Sequence, residues 1–305
     1  MHLSYLIQMI KLTRAHIGIA VLPSFFLGTL FAIILGYDFN LAIFIWGFII
    51  IFLLYAAASY ANDYYDFDAD KYNQQFGFSG GSGVLQKYPQ LKDLTKWSAV
   101  GMLAAAVILT LILAWMSYIP FWTVGFIGIG MFFTWFYSAP PIKLVYRGLS
   151  EIPHFIAGVM NACWGYILVT GNLDIYILIF SIPVALYLLN IILIFEIPDV
   201  EADVHGKKTN FIVKHGRRNG FLLVSLIFWL ASVYFLILAI LGWLEGIIDF
   251  FIITAISLVP GLYSLFVFSK NSLEKTQATR YAIKTSFTIF GFSIFLLAYF
   301  MAILI

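Results

Sequence analysis

Charge is scarce in this chain. Asp, Glu, Lys and Arg make up 10% of its 305 residues, against 62% hydrophobic residues, and the mean hydropathy is +0.96. A water-soluble domain carries about 25% charged residues, so the composition excludes one and points to a chain that crosses a bilayer repeatedly. The net charge of +2, spread over several loops, excludes a nucleic-acid partner. The single cysteine, Cys163, falls inside an apolar run and rules out an internal disulfide. A cleavable signal peptide is not expected, because MHLSYLIQMIKLTRAH lacks the basic start, apolar middle and small-residue exit.

What the chain has instead is long apolar runs. Nine can be drawn, over 16–36, 41–61, 97–116, 119–138, 152–170, 174–195, 220–241, 247–269 and 284–304, each near the roughly 20 residues needed to cross about 30 Å of hydrocarbon. They predict an all-α polytopic membrane protein, nine transmembrane helices around a central cavity, forming a single domain over 1–305. The connecting loops at about 62–96, 139–151, 196–219 and 270–283 carry the basic residues. With Lys11 and Arg14 before the first span, all 17 Lys and Arg fall on one side, while the opposite loops offer Asp38, Asp174, Glu245 and Asp249. That asymmetry predicts a cytoplasmic amino terminus and a carboxyl terminus on the opposite side.

Two acidic clusters share one spacing. Asp63, Asp66 and Asp70 in NDYYDFDAD, and Glu196, Asp199 and Asp203 in EIPDVEAD, both run i, i+3, i+7, which places three carboxylates on one helical face. A carboxylate at the bilayer centre costs roughly 2.5–3.5 kcal/mol on insertion scales, and like charges repel, so a cation is expected among them. Asn62, Asp66 and Asp70 also recur in steps of four, giving an amide oxygen and two carboxylates on successive turns. Hard oxygen donors of this kind suit Mg²⁺ bridging to a phosphate. Asp68 points elsewhere and is expected to be solvated. Each cluster ends an even-numbered span, so the two lie on one face of the membrane and can meet across the cavity. Pro198 weakens the single-face expectation in the second cluster. Together the clusters fit a lipid diphosphate, its head between metal ions and its tail in the bundle.

NDYYDFDAD resembles the NDxxDxxxD signature of the UbiA superfamily of intramembrane prenyltransferases, and DVEAD resembles that family's second motif, DxxxD. FYSAPPIKLVYRGLSEI and GKKT, with Lys207 and Lys208, extend the likeness over about 55–215. The resemblance implies Mg²⁺ bound by Asn62, Asp63, Asp66, Asp70, Asp199 and Asp203, and diphosphate contacts from Lys143, Arg147, Lys208 and Ser138. Tyr137 would shield an allylic cation or orient the phosphate, making Asp66, Asp199 and Tyr137 the catalytic set. A polyprenyl diphosphate donor and a hydrophobic or aromatic acceptor follow as partners, beside membrane lipid. One departure stands out. The segment KYNQQFGFSGGSGVLQKYPQ has no arginine where many relatives carry one. The glycines there would let backbone amides approach phosphate, with Ser79 or Ser82 adding hydroxyls and Lys71 or Lys87 the charge; a flexible linker is the plainer reading. SGGSGVL is similar to the branch that makes menaquinone precursors and to carotenoid-prenylating relatives.

For the acceptor, Asn161 and Tyr166 are candidate pocket residues, while Asn190 reads better as a helix-to-helix hydrogen bond. Glu151 and His154, at the start of the fifth span, could take up a proton. Three classes of function remain open: prenyl transfer to an aromatic quinone precursor such as 1,4-dihydroxy-2-naphthoate; the same chemistry on a lipid such as geranylgeranylglyceryl phosphate, on a carotenoid or on a porphyrin-derived acceptor; and a cation-binding transporter. A transporter would hold its ionisable groups near the midplane rather than at span ends. The DGxxAR string of CDP-alcohol phosphotransferases is absent.

Overall fold

The computed structural model describes residues 3–72, 79–271 and 274–305. Among them there is no strand. The helices are α1 (Leu3–Leu12), α2 (Ala15–Ile34), α3 (Leu41–Tyr65), α4 (Val84–Lys87), α5 (Lys92–Trp115), α6 (Thr123–Phe136), α7 (Glu151–Thr170), α8 (Ile175–Glu196), α9 (Val200–His205), α10 (Phe211–Ile240), α11 (Phe250–Ser269) and α12 (Lys275–Ile303). Seven helical stretches among the described residues are long and apolar enough to cross a membrane, and two shorter apolar helices, Leu22–Ile34 and Thr123–Phe136, accompany them. The chain is thus an all-helical polytopic membrane bundle. Every predicted apolar segment lies on one helix, although α6, at 14 residues, falls below the length of a full span.

Three of these helices begin at a side-chain cap. Asn40 accepts from the Ala42 and Ile43 amides at α3, Asp174 from Tyr176 and Ile177 at α8, and Asp249 from Phe251 and Ile252 at α11. Each cap satisfies amides that nothing else in the helix can, worth about 1 kcal/mol. Pro23, Pro183 and Pro260 sit inside helices, a placement that neighbouring spans make tolerable in membranes. At Gly216, φ 79 and ψ 166 break α10 near its start.

The chain forms two compact units. The first gathers residues 1–19, 40–153 and 201–210, and the second 20–39, 154–200 and 211–305. In the first, α3 packs on α5 and α6, and α1 and α4 lie across its end. Met9 and Leu12 of α1 join Tyr60, Ala61, Val84, Leu85, Leu91 and Ala99 in one buried cluster, and the Tyr60 hydroxyl donates to the Met9 carbonyl at 2.5 Å. This cluster braces the end of α3 that carries the first acidic motif.

In the second unit, α10 packs on both α8 and α11. Backbones of α2 and α7 touch: a Cβ at Gly28 would overlap the Ala162 carbonyl, and one at Gly165 would overlap that of Phe25. Small residues allow such approach where lipid gives no hydrophobic drive for helices to associate. Phe31 stacks on Phe180 at 4.5 Å. Asn190 donates to the Val224 carbonyl at 3.2 Å, a bridge from α8 to α10 of the kind predicted for it.

Candidate active site

Helical hydrogen bonding outlasts α3. The Asp66 amide donates to the Asn62 carbonyl and the Asp70 amide to the Asp66 carbonyl, both at 2.8 Å, so Asn62, Asp66 and Asp70 line successive turns as their spacing predicts. Asp63, Asp66 and Asp70 are buried, and Asp66 is wholly so. Asp68, in contrast, is exposed and paired with Lys71 at 2.6 Å. Lys71 therefore serves Asp68 and one ring rather than the cluster, its ammonium lying 4.8 Å from the Phe67 ring centre.

A short segment of the second motif completes the cluster within the first unit. Asp203 on α9 is buried and accepts from the Asn210 amide at 2.9 Å. Lys208 reaches in from the GKKT turn: its Nζ lies 2.8 Å from Asp66 Oδ2, 3.8 Å from Asp203 Oδ1 and 3.9 Å from Asp70 Oδ1. The turn is pinned by the Thr209 hydroxyl, which donates to the Tyr146 carbonyl at 2.7 Å. Tyr146 in turn donates its phenol to Asp66 Oδ1 at 2.8 Å.

Arginine enters from an unexpected direction. Arg14, with φ 48 in the left-handed region, pairs with Asp63 and contacts Asn62 Oδ1 at 3.3 Å. The Tyr55 hydroxyl holds the Arg14 carbonyl at 2.6 Å. Asn62 Nδ2 faces Asp66 Oδ2 and Ser138 Oγ, both at 3.0 Å.

The glycine-rich segment forms one wall of this cluster. Ser82 donates to Asp63 and accepts from the Val84 amide. Gly80, Gly81 and Gly83 all have positive φ, the region glycine enters without penalty. At Gly81 the space matters as well, because a Cβ would press on the Asp70 carboxylate, 3.0 Å from its Cγ. Ser79 and Ser82 lie in this ordered turn, whereas residues 73–78 of the same motif fall outside the described residues.

Burial pushes the Asp70 carboxyl up to about 8 even though Lys208 pulls it down; Asp66 adds to the rise. Burial acts against the charged form of Lys208, yet Asp66, Asp203 and Asp70 outweigh it, and the ammonium is held well above its ordinary value. Burial and Asp66 raise the Tyr146 phenol, which remains a proton donor. Four buried carboxylates thus meet two cations in these contacts, Arg14 and Lys208. Among the described residues no three His, Cys, Asp or Glu side chains converge closely enough to hold a metal ion, because Lys208 stands where three of the carboxylates point. The donor set is nonetheless the hard-oxygen set that suits Mg²⁺, and its charge exceeds that of the cations it meets.

The other predicted residues are more scattered. Lys143 and Arg147 are exposed, Lys143 with its ammonium 5.2 Å from the Tyr146 ring centre and Arg147 donating to the Pro141 carbonyl at 3.0 Å. Tyr137 is half-buried at the end of α6, next to buried Ser138. The second motif departs from one continuous face: α8 stops at Glu196, Ile197–Asp199 form a 3₁₀ turn with Pro198 at its centre, and α9 starts anew. Proline lacks the amide that would continue α8. Asp199 is half-buried and belongs to the second unit. Asn161 is buried on α7. Tyr166 is buried too, but its hydroxyl is committed to Asp174 at 2.6 Å, at the capped start of α8.

The sequence matches the UbiA prenyltransferase family over residues 21–294. The chain belongs to that family. Its fold is similar to that of a UbiA homolog from Archaeoglobus fulgidus bound to GPP and Mg²⁺, with a TM-score of 0.68 and 15% identity over 95% of this chain and 99% of the other. A digeranylgeranylglyceryl phosphate synthase aligns with a TM-score of 0.66 and 14% identity over 98% and 100%. An apo UbiA homolog from Aeropyrum pernix K1 gives 0.61 and 16% over 91% and 96%. No curated protein matches the chain. Sequence reasoning about this UbiA-family chain missed Arg14, Tyr146 and Asn210 as members of the cluster. Only Tyr146 left a signal, lying within the FYSAPPIKLVYRGLSEI string.

Proposed function

We propose that this chain is a Mg²⁺-dependent intramembrane prenyltransferase that moves the prenyl group of an allylic polyprenyl diphosphate to an aromatic quinone-precursor acceptor and releases diphosphate. The observation that carries the reading is the excess of buried carboxylate over cation around Asp66, in a chain of the UbiA prenyltransferase family. Two structures of a UbiA homolog from Archaeoglobus fulgidus hold GPP or DMAPP, both allylic diphosphates, with Mg²⁺. Asn62, Asp63, Asp66, Asp70, Asp199 and Asp203 would hold the ion. When bound, Mg²⁺ would supply positive charge for the departing diphosphate. The C–O bond would break, its electron pair leaving with the diphosphate, and the acceptor atom would bond the allylic carbon and release its own proton to the departing diphosphate or to solvent.

The chain's own residues divide that work. Lys143, Arg147, Lys208 and Ser138 would bind the diphosphate, which stabilises the charge that develops on it. Tyr137 would face the allylic cation. Tyr146 fixes Asp66 from behind, as a partner of a metal ligand does. The whole chain would act as one catalytic domain, with amino terminus and site on the cytoplasmic side and the carboxyl terminus opposite, as the basic loops imply.

For the acceptor, the SGGSGVL segment supports an aromatic quinone precursor. The likeness to a digeranylgeranylglyceryl phosphate synthase favours a second reading, a glycerol-phosphate lipid. Incubating purified protein with radiolabelled geranylgeranyl diphosphate and a panel of acceptors, with and without EDTA, separates the two. A labelled, EDTA-sensitive product from 1,4-dihydroxy-2-naphthoate supports the first. Product from the glyceryl phosphate alone supports the second, and no product from any acceptor defeats both.

A further inference from the structure

The ammonium of Lys208 occupies an unusual position. It is the point on which Asp66, Asp70 and Asp203 converge, between 2.8 and 3.9 Å from each. The contact with Asp66 is a direct ion pair and those with Asp70 and Asp203 are longer, so one compact charge serves three buried carboxylates at once. The backbone that carries it is fixed on both sides. The Lys208 amide donates to the Asp203 carbonyl at 2.9 Å, the Thr209 amide to the Val145 carbonyl at 3.3 Å, and a Cβ at Gly206 would press on that of Ala69, 2.7 Å away. Lys207 holds φ 61 between them. The side chain, with four methylenes, can therefore change partners while the turn stays in place.

We propose that Lys208 is a tethered counter-ion, which holds the carboxylates together in the ion-free protein, leaves them when a divalent ion loads, and passes to the diphosphate. This rests on the metal-dependent reading above and adds to it a consequence. An ion entering alone must displace an ammonium and leave it with no anion nearby. An ion entering with diphosphate supplies the displaced ammonium with a new partner. Divalent ion and diphosphate therefore bind cooperatively, each raising the other's affinity by the same factor, and Lys208 carries that coupling.

The test is Mn²⁺ binding to the full-length protein in detergent, followed by electron paramagnetic resonance with and without inorganic pyrophosphate. Wild type is compared with Lys208→Gln and with Lys71→Gln, whose lysine pairs with exposed Asp68. Without pyrophosphate, Lys208→Gln is expected to bind Mn²⁺ roughly tenfold tighter than wild type, within the range of ordinary coupling factors, and to lose most of the gain that pyrophosphate gives. Lys71→Gln is expected to match wild type. Equal or weaker Mn²⁺ binding by Lys208→Gln, with coupling intact, overturns the exchange while leaving metal dependence standing. No Mn²⁺ binding by wild type, even with pyrophosphate, overturns metal dependence and the proposal together. A second measurement needs no variant: in wild type, an amine-acylating reagent should label Lys208 faster once Mn²⁺ is added, and slower again with pyrophosphate. Labelling indifferent to Mn²⁺ also overturns the proposal.

Discussion

Gly81→Ala separates two consequences of the glycine-rich turn. Gly81 has φ +81, and a methyl there would lie 3.0 Å from Asp70 Cγ and 3.5 Å from Arg14 Nη2. Gly246 has the same φ, but nothing lies within 4 Å of the methyl an alanine would bring. Both substitutions carry the left-handed penalty of about 1–2 kcal/mol. Only Gly81→Ala also drives the Asp70 carboxylate off its place beside Lys208. Displacing a group that supports or binds a metal reduces affinity about 10- to 100-fold. Gly246→Ala should thus lower the melting temperature in detergent and leave Mn²⁺ affinity and turnover alone. Gly81→Ala should lower melting further and weaken Mn²⁺ binding by at least about tenfold. If the two variants melt together and bind Mn²⁺ as wild type does, the glycine turn is not a wall of the site.

Three further outcomes follow from the same contacts. Asp66→Asn keeps the shape of a side chain that Tyr146, Asn62 and Lys208 all touch, and should abolish prenyl transfer while the protein still inserts and purifies; turnover near wild type in Mg²⁺ buffer would contradict the assignment. Tyr166→Phe removes a hydroxyl bonded to Asp174, and should reduce stability by about 1 kcal/mol with kcat/KM unchanged for every acceptor; a selective loss with one acceptor would place Tyr166 in its pocket. In EDTA, the folded protein keeps a proton on Asp70 that the unfolded chain releases between an ordinary value of 3.8 and about 8. Stability from this group therefore falls as pH rises through that window and levels off above it. Melting curves across it check the sign, and Asp70→Asn should flatten the slope.

Hydropathy located the helices better than it located their ends. The run at 41–61 is α3, which continues to Tyr65, and the run at 220–241 belongs to α10, which begins at Phe211. The run at 284–304 belongs to α12, which begins at Lys275. In these three the helix outruns the apolar stretch, because apolarity marks where hydrocarbon begins, whereas a helix ends where its hydrogen bonds end; α6 and α11 instead start inside their runs, at Thr123 and Phe250. TQATRYA is polar enough to leave the bilayer and still closes the i to i+4 ladder, whereas in KHGRRN the helix is kinked at Gly216 before it enters the apolar run. In the second acidic motif the reverse holds. Proline sets a boundary that spacing alone cannot override, so three carboxylates at i, i+3, i+7 are divided between a helix end, a 3₁₀ turn and a new helix.

The candidate site was legible to the extent that its contacts are local. Asn62, Asp66 and Asp70 share a helical ladder, and four residues of separation are enough to show it. Their partners come from far along the chain: Arg14 lies 49 residues before Asp63, and Tyr146 lies 80 residues after Asp66. A basic residue near a span end satisfies the positive-inside rule whether or not it also turns inward, so the sequence gives Arg14 and Lys11 the same meaning. What distinguishes them is backbone conformation. Arg14 follows the end of α1 with φ 48, a left-handed geometry that an L-residue adopts at a cost of about 1–2 kcal/mol. In that conformation its side chain reaches buried Asp63. The arginine missing from the segment after the first motif is thus matched, at the level of charge, by one that precedes the first apolar run. A search confined to the motif's neighbourhood could not have found it.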